Sequence, residues 1–352
     1  IVNSLQDDYK RNFASSSTLH DKHRCRQIAV LGGGAGGCSI AAKFSSKLGK
    51  NKVIVIEPAD RHYYQAMFTM IGGGVKKLDQ SYKPMKSVLP TDALWIKDKV
   101  VEIEPRHNKV VTNKGHVVEY DYMIPGLVEA LKDPRSGVCS NYSPDYVTKT
   151  FECIKRLKSG NAIFTYPNSP VKCAGAPQKI AYLTAHHCQL NNKKVQVIYH
   201  TSLPVIFKAP KYAESLWKVA EKRNVKVALN SDLIEVKPGR KEAVFQNLSK
   251  PEEKIVQDYE MLHVTPHHRP SELISKNKDI SDASGFLAVN KDTMQHVKFA
   301  NIFGIGDCTS LPTSKTGAAV GKESYSTPLS LPLPIPLEQK PSPLPQSNIL
   351  CS

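Results

Sequence analysis

Gln27-Ile28-Ala29-Val30-Leu31-Gly32-Gly33-Gly34-Ala35-Gly36-Gly37, read on to Glu57, decides the fold of this chain. An apolar strand runs straight into a G-x-G-x-x-G built from Gly32, Gly34 and Gly37. Ile40, Phe44 and Leu48 then stand four apart, which predicts one apolar face of a helix. Val53-Ile54-Val55-Ile56 predicts a second strand, closed by the acid Glu57. Strand, glycine turn, helix, strand and acid in this order make a βαβ unit for a dinucleotide. The glycines serve the tight turn, backbone approach to a pyrophosphate, and close packing of helix on strand. The diphosphate would sit on the exposed amides at the helix start, and Glu57 would accept hydrogen bonds from ribose hydroxyls.

Outside this unit the chain reads as a two-domain α/β protein. At 352 residues it is long enough for two ordinary cores. It holds no apolar run of the roughly 18 residues needed to cross a bilayer. The net charge of +16 is dispersed along the sequence. Such a balance suits anionic membrane surfaces or nucleic acid, but no nucleic-acid motif accompanies it, and the plain reading is a basic solvated surface. The eight cysteines show no C-x-x-C and no zinc spacing, so neither a disulfide scaffold nor a metal site is expected. His186-His187 and His267-His268 are read as exposed, and His263 as a hydrogen-bonded core residue.

The segments fall into five stretches. Residues 1–26 form a basic, Ser-rich leader of transit-peptide character, although Asp7-Asp8 does not suit one. Residues 27–145 are the first part of the dinucleotide domain, with a flexible Gly72-Gly73-Gly74. A meander of short strands at 94–97, 100–103 and 110–112 leads to a strand at 117–124. Residues 146–284 form a second Rossmann-like domain with strands at 161–165, 195–200 and 225–229, and a two-stranded hairpin at 233–236 and 243–245. The first domain resumes over 285–320. The last 32 residues, 321–352, contain seven prolines and predict an extended or disordered tail.

Two further places carry chemistry. Gly304-Ile305-Gly306-Asp307 ends an apolar strand, where a carboxylate can accept bonds from the ribityl hydroxyls of a flavin. A helix start rich in small residues follows at Thr316-Gly317-Ala318-Ala319, offering amides to the isoalloxazine. Paired with the opening fingerprint, this selects FAD over NAD. In the second domain, the position of a second glycine fingerprint reads Tyr166-Pro167-Asn168-Ser169-Pro170-Val171-Lys172-Cys173-Ala174-Gly175-Ala176-Pro177-Gln178-Lys179. Two prolines and a cysteine stand where phosphate-contacting glycines belong, so a pyridine nucleotide has no cradle there. Cys173 beside Lys172 at a helix start favours thiolate. On the residues alone, a reactive and an inert Cys173 stand as equals.

Leu31–Gly37, Glu57-Pro58 with Arg61-His62-Tyr63-Tyr64-Gln65, the Val171–Lys179 segment, Met261-Leu262-His263-Val264-Thr265-Pro266 and Gly304–Thr316 together closely resemble the mitochondrial sulfide:quinone oxidoreductase family. The similarity runs from about residue 27 to 320. It implies two Rossmann-like dinucleotide-binding domains of the FAD-dependent disulfide-reductase type, with Cys173 as the persulfide-bearing cysteine. It also implies FAD contacts at Ala35, Gly36, Glu57, Gln65, Val100, Asp307 and Lys315, beside the fingerprint's Gly32, Gly34 and Gly37. The substrates so implied are hydrogen sulfide, ubiquinone and a small thiol or sulfite as sulfur acceptor, at the mitochondrial inner membrane.

The chain departs from this pattern in three places. The family's second redox cysteine and its C-terminal membrane-docking and quinone-lining helices lie beyond the end of the resemblance, and Cys351 is the only cysteine after Cys308. Near Met123-Ile124-Pro125-Gly126-Leu127 a small-x-Gly turn and further cofactor-facing residues are missing. Resemblance stops at Gly321-Lys322. The expectation is a truncated or mis-spliced version with impaired turnover. The rivals are an NAD(P)H:quinone reductase and a catalytically silent FAD-binding fragment.

Overall fold

The computed structural model describes residues 28–107, 109–113, 127–327 and 347–351. The expected strand at 117–124 and the leader at 1–26 lie outside them, as does the break near 123–126. The fingerprint unit forms as its pattern dictates. Strand β1 (Ile28–Leu31) is wholly buried and pairs in parallel with β2 (Val53–Ile56), Ile28 opposite Val53 and Leu31 opposite Ile56. Helix α1 (Ala35–Leu48) buries Ile40 and Phe44 against them. A hairpin of β3 (Arg61–Tyr63) and β4 (Tyr82–Pro84) encloses the short helix α2 (Phe68–Gly72), and α3 (Met85–Val88) follows.

The three short strands expected as a meander divide. Only β6 (Lys99–Glu104) and β7 (Lys109–Asn113) form an antiparallel pair. Strand β5 (Leu94–Ile96) instead extends the main sheet in parallel beside β2. There the half-buried Trp95 indole donates to the Glu57 carbonyl at 2.9 Å, while Glu57 N–H donates to Ile96 O at 3.0 Å. The acid is thus fixed by the third strand of its own sheet.

After α4 (Leu127–Lys132), a second sheet is assembled with all five strands parallel. It consists of β8 (Val138–Cys139), β9 (Ser159–Tyr166), β10 (Lys194–Thr201), β11 (Val225–Ala228) and β15 (Met261–His263), in the order β11-β10-β9-β15-β8. Helices α5 (Val147–Arg156), α6 (Ala176–Leu190) and α7 (Pro210–Lys222) connect them. Because β8 belongs here, this sheet reaches back before the expected boundary at residue 146. The hairpin expected in this region has a third strand: β12 (Ser231–Lys237), β13 (Glu242–Asn247) and β14 (Lys254–Asp258). The outermost, β14, leaves Ile255 and Val256 exposed, so its apolar residues do not mark a buried face.

Gly72-Gly73-Gly74, expected to be flexible, is a packed wedge. A Cβ on Gly72 would stand 2.1 Å from Asn141 Oδ1, and one on Gly74 2.2 Å from the Phe151 ring. Phe68 and Ile71 of α2 share a buried cluster with Val147 of α5, so the absence of side chains lets α2 seat against the second domain.

The return to the first core begins earlier than residue 285. Ile274 of α8 (Glu272–Ser275) and Ile280 already pack with β1 and β2, and Asn277 donates to Ile103 O at 2.8 Å. Strand β16 (Ile302–Ile305) leads to Asp307, and α9 (Gly317–Ser326) follows. Two features correct the expectation of a structureless tail from 321. Helix α9 runs through that boundary, its C-terminal carbonyls of Ser324, Tyr325 and Thr327 capped by Lys43 Nζ at 2.8–3.0 Å. Residues Ser347–Cys351 form a strand, β17, that lies parallel between β1 and β16. All seven prolines precede Ser347, so this piece keeps every N–H that a central strand must donate.

Candidate functional site

Parallel strands that share a sheet deliver their following loops to one edge, and ligands of open α/β sheets bind there. Strands β1 and β16 do this for the fingerprint and for Asp307. Gly32 has φ +102° and donates its N–H to Ile56 O at 2.9 Å, so only glycine turns the chain there without strain. A Cβ on Gly37 would stand 1.9 Å from Gly32 O, which makes this third glycine obligatory. Gly34 is the N-cap of α1 and, lacking a side chain, leaves the first-turn amides open with Ala35 exposed. The Glu57 carboxylate accepts from Gly33 N–H and Ala59 N–H, both at 2.7 Å. His62 Nδ1 lies 2.9 Å from Gly33 O and the Cys38 thiol 3.2 Å from it. Burial, reinforced by Glu57, pushes the Cys38 thiol up to about 11, so it serves as a neutral donor.

Asp307 lies buried just beyond β16, after Gly306 at φ +80°. Gly306 N–H donates at 2.7 Å to Glu323 of α9, a buried carboxylate that the sequence reading did not single out. Lys172 Nζ stands 3.6 Å from Asp307 Oδ2. Lys315 is buried, donates from Nζ to Thr309 O at 2.8 Å and lies over the Phe286 ring. Burial lowers its pKa, while Asp307 opposes that shift. His267 and His268 are half-buried rather than exposed. His267 Nδ1 meets Ser169 Oγ at 2.8 Å, and His268 N–H donates to Pro170 O at 3.1 Å. Burial lowers the His268 pKa against the pull of nearby Asp307. By contrast, His263 is the core residue expected, accepting from Asn141 N–H at 3.2 Å.

Cys173 joins the two halves. Its N–H donates to Lys315 O at 3.1 Å and its carbonyl accepts from Ala176 N–H at 2.9 Å, at the start of α6. It adopts φ +54°, a conformation costly for a side-chain-bearing residue and concentrated at functional sites. Among the six cysteines with described side chains, Cys173 alone is partly exposed. Near it stands the buried phenol of Tyr142, whose pKa burial raises and which faces Thr265. Lys172, expected beside the thiol, has its ammonium on Asp307. Of the expected cofactor residues, Gly36 and Gly37 are buried in the first turn of α1 and Val100 in the first core, while Gln65 is exposed ahead of α2. Tyr142, His268, Phe286 and Glu323 carry no local motif, and only the fold brings them here.

The cradle fits a dinucleotide: glycine at 33 and 37 lets the turn close on Glu57 and the helix close on the strand, and first-turn amides with no side-chain cap and one carboxylate line it. Among the described residues, no three His, Cys, Asp or Glu converge as a metal site, and no helix is long and apolar enough to cross a membrane.

No family model matches the chain. It is 43% identical over 312 residues to the mitochondrial sulfide:quinone oxidoreductase of Mus musculus, covering 85% of this chain and 69% of that protein. The corresponding protein of Dictyostelium discoideum is 39% identical, over 92% of this chain and 75% of its own length. The crystal structure of the sulfide:quinone oxidoreductase of Aquifex aeolicus superposes with a TM-score of 0.69 at 20% identity, covering 84% of this chain and 74% of that one. An NAD-dependent persulfide reductase from A. fulgidus gives 0.60 at 15% identity, covering 85% and 58%. These structural likenesses show the fold, two Rossmann-type domains of the FAD-dependent disulfide-reductase type.

Proposed function

Because the chain belongs to the sulfide:quinone oxidoreductase family, a family of oxidoreductases, we propose that it oxidises hydrogen sulfide on Cys173 and passes the electrons through FAD to ubiquinone. The observation that carries this reading is the hydrogen bond from Cys173 N–H to Lys315 O, which ties the cysteine to the return segment of the FAD-binding domain. Gly32, Gly34, Ala35, Gly36 and Gly37 would hold the pyrophosphate and Glu57 the adenosine ribose. Asp307 and Lys315, with Gln65 and Val100, would complete the hold on the rest of the cofactor. FAD would supply a two-electron acceptor that hands its electrons on to quinone.

The protein's own part is to present sulfur. Cys173 would bond the sulfane atom, held by its backbone rather than by packing, so its partly exposed thiol stays open to sulfide and to a small thiol or sulfite that removes the sulfur. Burial raises the pKa of the nearby Tyr142 phenol, which therefore stays neutral beside that sulfur. The mitochondrial names of the relatives and the charge of +16 support work at an anionic inner-membrane surface.

Anaerobic sulfide should bleach the flavin band, at about 450 nm as a property of the cofactor, and added short-chain quinone should restore it. Cys173→Ser should abolish bleaching while keeping the flavin. Bleaching by NADH but not by sulfide would replace this reading with the pyridine-nucleotide one.

A further inference from the structure

Strand β14 ends the three-stranded sheet and, among the described residues, has a strand on one side only. Its ladder with β13 decides which groups face outward. At the two ends of the pair, Asn247 N–H donates to Glu253 O at 3.2 Å and Tyr259 N–H donates to Lys241 O at 2.8 Å. Residues of an antiparallel ladder alternate between bonding the neighbour and pointing away from it, so Ile255 and Gln257 bond β13. Lys254, Val256 and Asp258 turn their N–H and C=O groups to the open edge. Such a row is a template for another strand, and no proline or bulge interrupts it. Asn161 Nδ2 donates to the Asp258 carbonyl at 3.1 Å, so the open backbone ends there. Side chains divide by the same alternation. Gln257 Oε1 meets His200 Nε2 of β10 at 2.8 Å, which turns Gln257 and Ile255 toward the parallel sheet. Lys254, Val256 and Asp258 take the opposite face, where Val256 is 55% exposed beside its buried cross-strand neighbour Val244.

We propose that this edge pairs with the same edge of a second copy of the chain, antiparallel about a two-fold axis at Val256. A two-fold contact must be complementary to itself, and the strand meets that condition. Read both ways from Val256, Ile255 stands opposite Gln257 and Lys254 opposite Asp258. Each Lys254 therefore meets the partner's Asp258, and both carboxylate and ammonium are exposed and on the face that also carries Val256. Val256 exchanges N–H and C=O with the partner's Val256, and the apolar strip begun by Val244 continues across the axis. Charge also favours this edge over the rest of the surface. A chain of net charge +16 repels its copy through most approaches, whereas residues 250–258 hold two lysines against three acids. The contact is small, so the pairing depends on protein concentration. It joins two three-stranded sheets into one of six strands and owes nothing to the cofactor or to Cys173.

Sedimentation of the full chain at rising concentration should shift from the mass of one chain to that of two. Lys254→Asp and Asp258→Lys each set like charges against one another at both ends of the contact, so each variant alone should stay a single chain. Mixed in equal amounts they should associate, because every facing pair is then opposite in sign. These are exposed positions, and unchanged thermal midpoints would show that both variants fold. Val256→Cys should cross-link to its own copy under mild oxidation, beyond the level of wild type. Its two Cα atoms would lie about 5.5 Å apart in a hydrogen-bonded pair, within reach of a disulfide. Wild-type protein that stays one chain at every concentration would overturn the proposal. So would a mixture of the two charge variants that fails to associate, or a dimer whose Val256→Cys form does not cross-link.

Discussion

Gly37 and Glu57 sit at the two ends of one cradle and should fail differently. A methyl at Gly37 would stand 1.9 Å from Gly32 O, a backbone atom with nowhere to go, so Gly37→Ala must move either the turn or the helix. Glu57→Ala removes a carboxylate that holds two amides without touching the backbone path. It should weaken flavin binding by the value of lost charge-assisted bonds, about 1.5–3 kcal/mol. Flavin-to-protein ratios after gel filtration should therefore be near zero for Gly37→Ala and reduced but measurable for Glu57→Ala. Equal retention by Gly37→Ala and wild type would remove the cradle assignment. A second prediction at this scale concerns pH. His263 is fully buried with its pKa depressed to about 3. His200, held between Ser231 and Gln257 and stacked on Phe245, is depressed to about 4. In both, burial disfavours the charged ring. Unfolded histidine binds its proton near 6.5, so below that pH the unfolded chain takes up protons that the folded one refuses. Stability is undiminished above 6.5 and is lost progressively as pH falls toward the folded values, by roughly 2 kcal/mol for each histidine at pH 5. Urea midpoints should drop between pH 7 and 5, and His263→Gln should flatten the slope; a midpoint indifferent to pH would contradict both burials.

Among elements, what the sequence made legible and what it hid divide along one physical line. Requirements that act within a few residues were readable: the glycines at 32, 34 and 37, the four-residue spacing of α1, and the apolar runs of β9 and β10. Partnership was not, because an apolar tripeptide such as Leu94–Ile96 fits a meander or a parallel sheet equally well, and only the exposed edge of β2 decides. At the candidate site the same division holds. Cys173, Glu57, Asp307 and Lys315 stand in recognisable segments, whereas Tyr142, His268, Phe286 and Glu323 acquire their places from contacts outside their own segments. Gly72-Gly73-Gly74 shows the cost of reading composition alone. Glycine there provides room rather than motion, since Gly74 combines φ +75° with a Phe151 ring 2.2 Å from where its Cβ would be. Gly74→Ala should cost about 2–4 kcal/mol from overpacking and left-handed backbone strain. It should also raise proteolytic cleavage between α2 and β4. A variant as stable as wild type would show that α2 is not wedged against α5.

At the scale of the whole molecule, the first sheet depends on a strand drawn from far along the chain. Strands β1 and β16 run parallel with β17 between them, Ile349 paired to Val30 on one side and to Phe303 on the other. Without β17, both neighbours would present unpaired N–H and C=O groups in a buried sheet, a cost that native structures rarely bear. The two loops proposed to hold the cofactor, after β1 and after β16, hang from these two strands. Their separation across the sheet is set by the one between them. Proline at position 349 would remove a ladder donor in a central strand and should cost roughly 2 kcal/mol or more. Serine at position 342 already lies between prolines, and Ser342→Pro should change nothing. Ile349→Pro should therefore lower the thermal midpoint and the flavin content together, and expose the first domain to proteolysis while the second stays resistant. If Ile349→Pro and Ser342→Pro behaved alike, another segment would have to fill the place between β1 and β16.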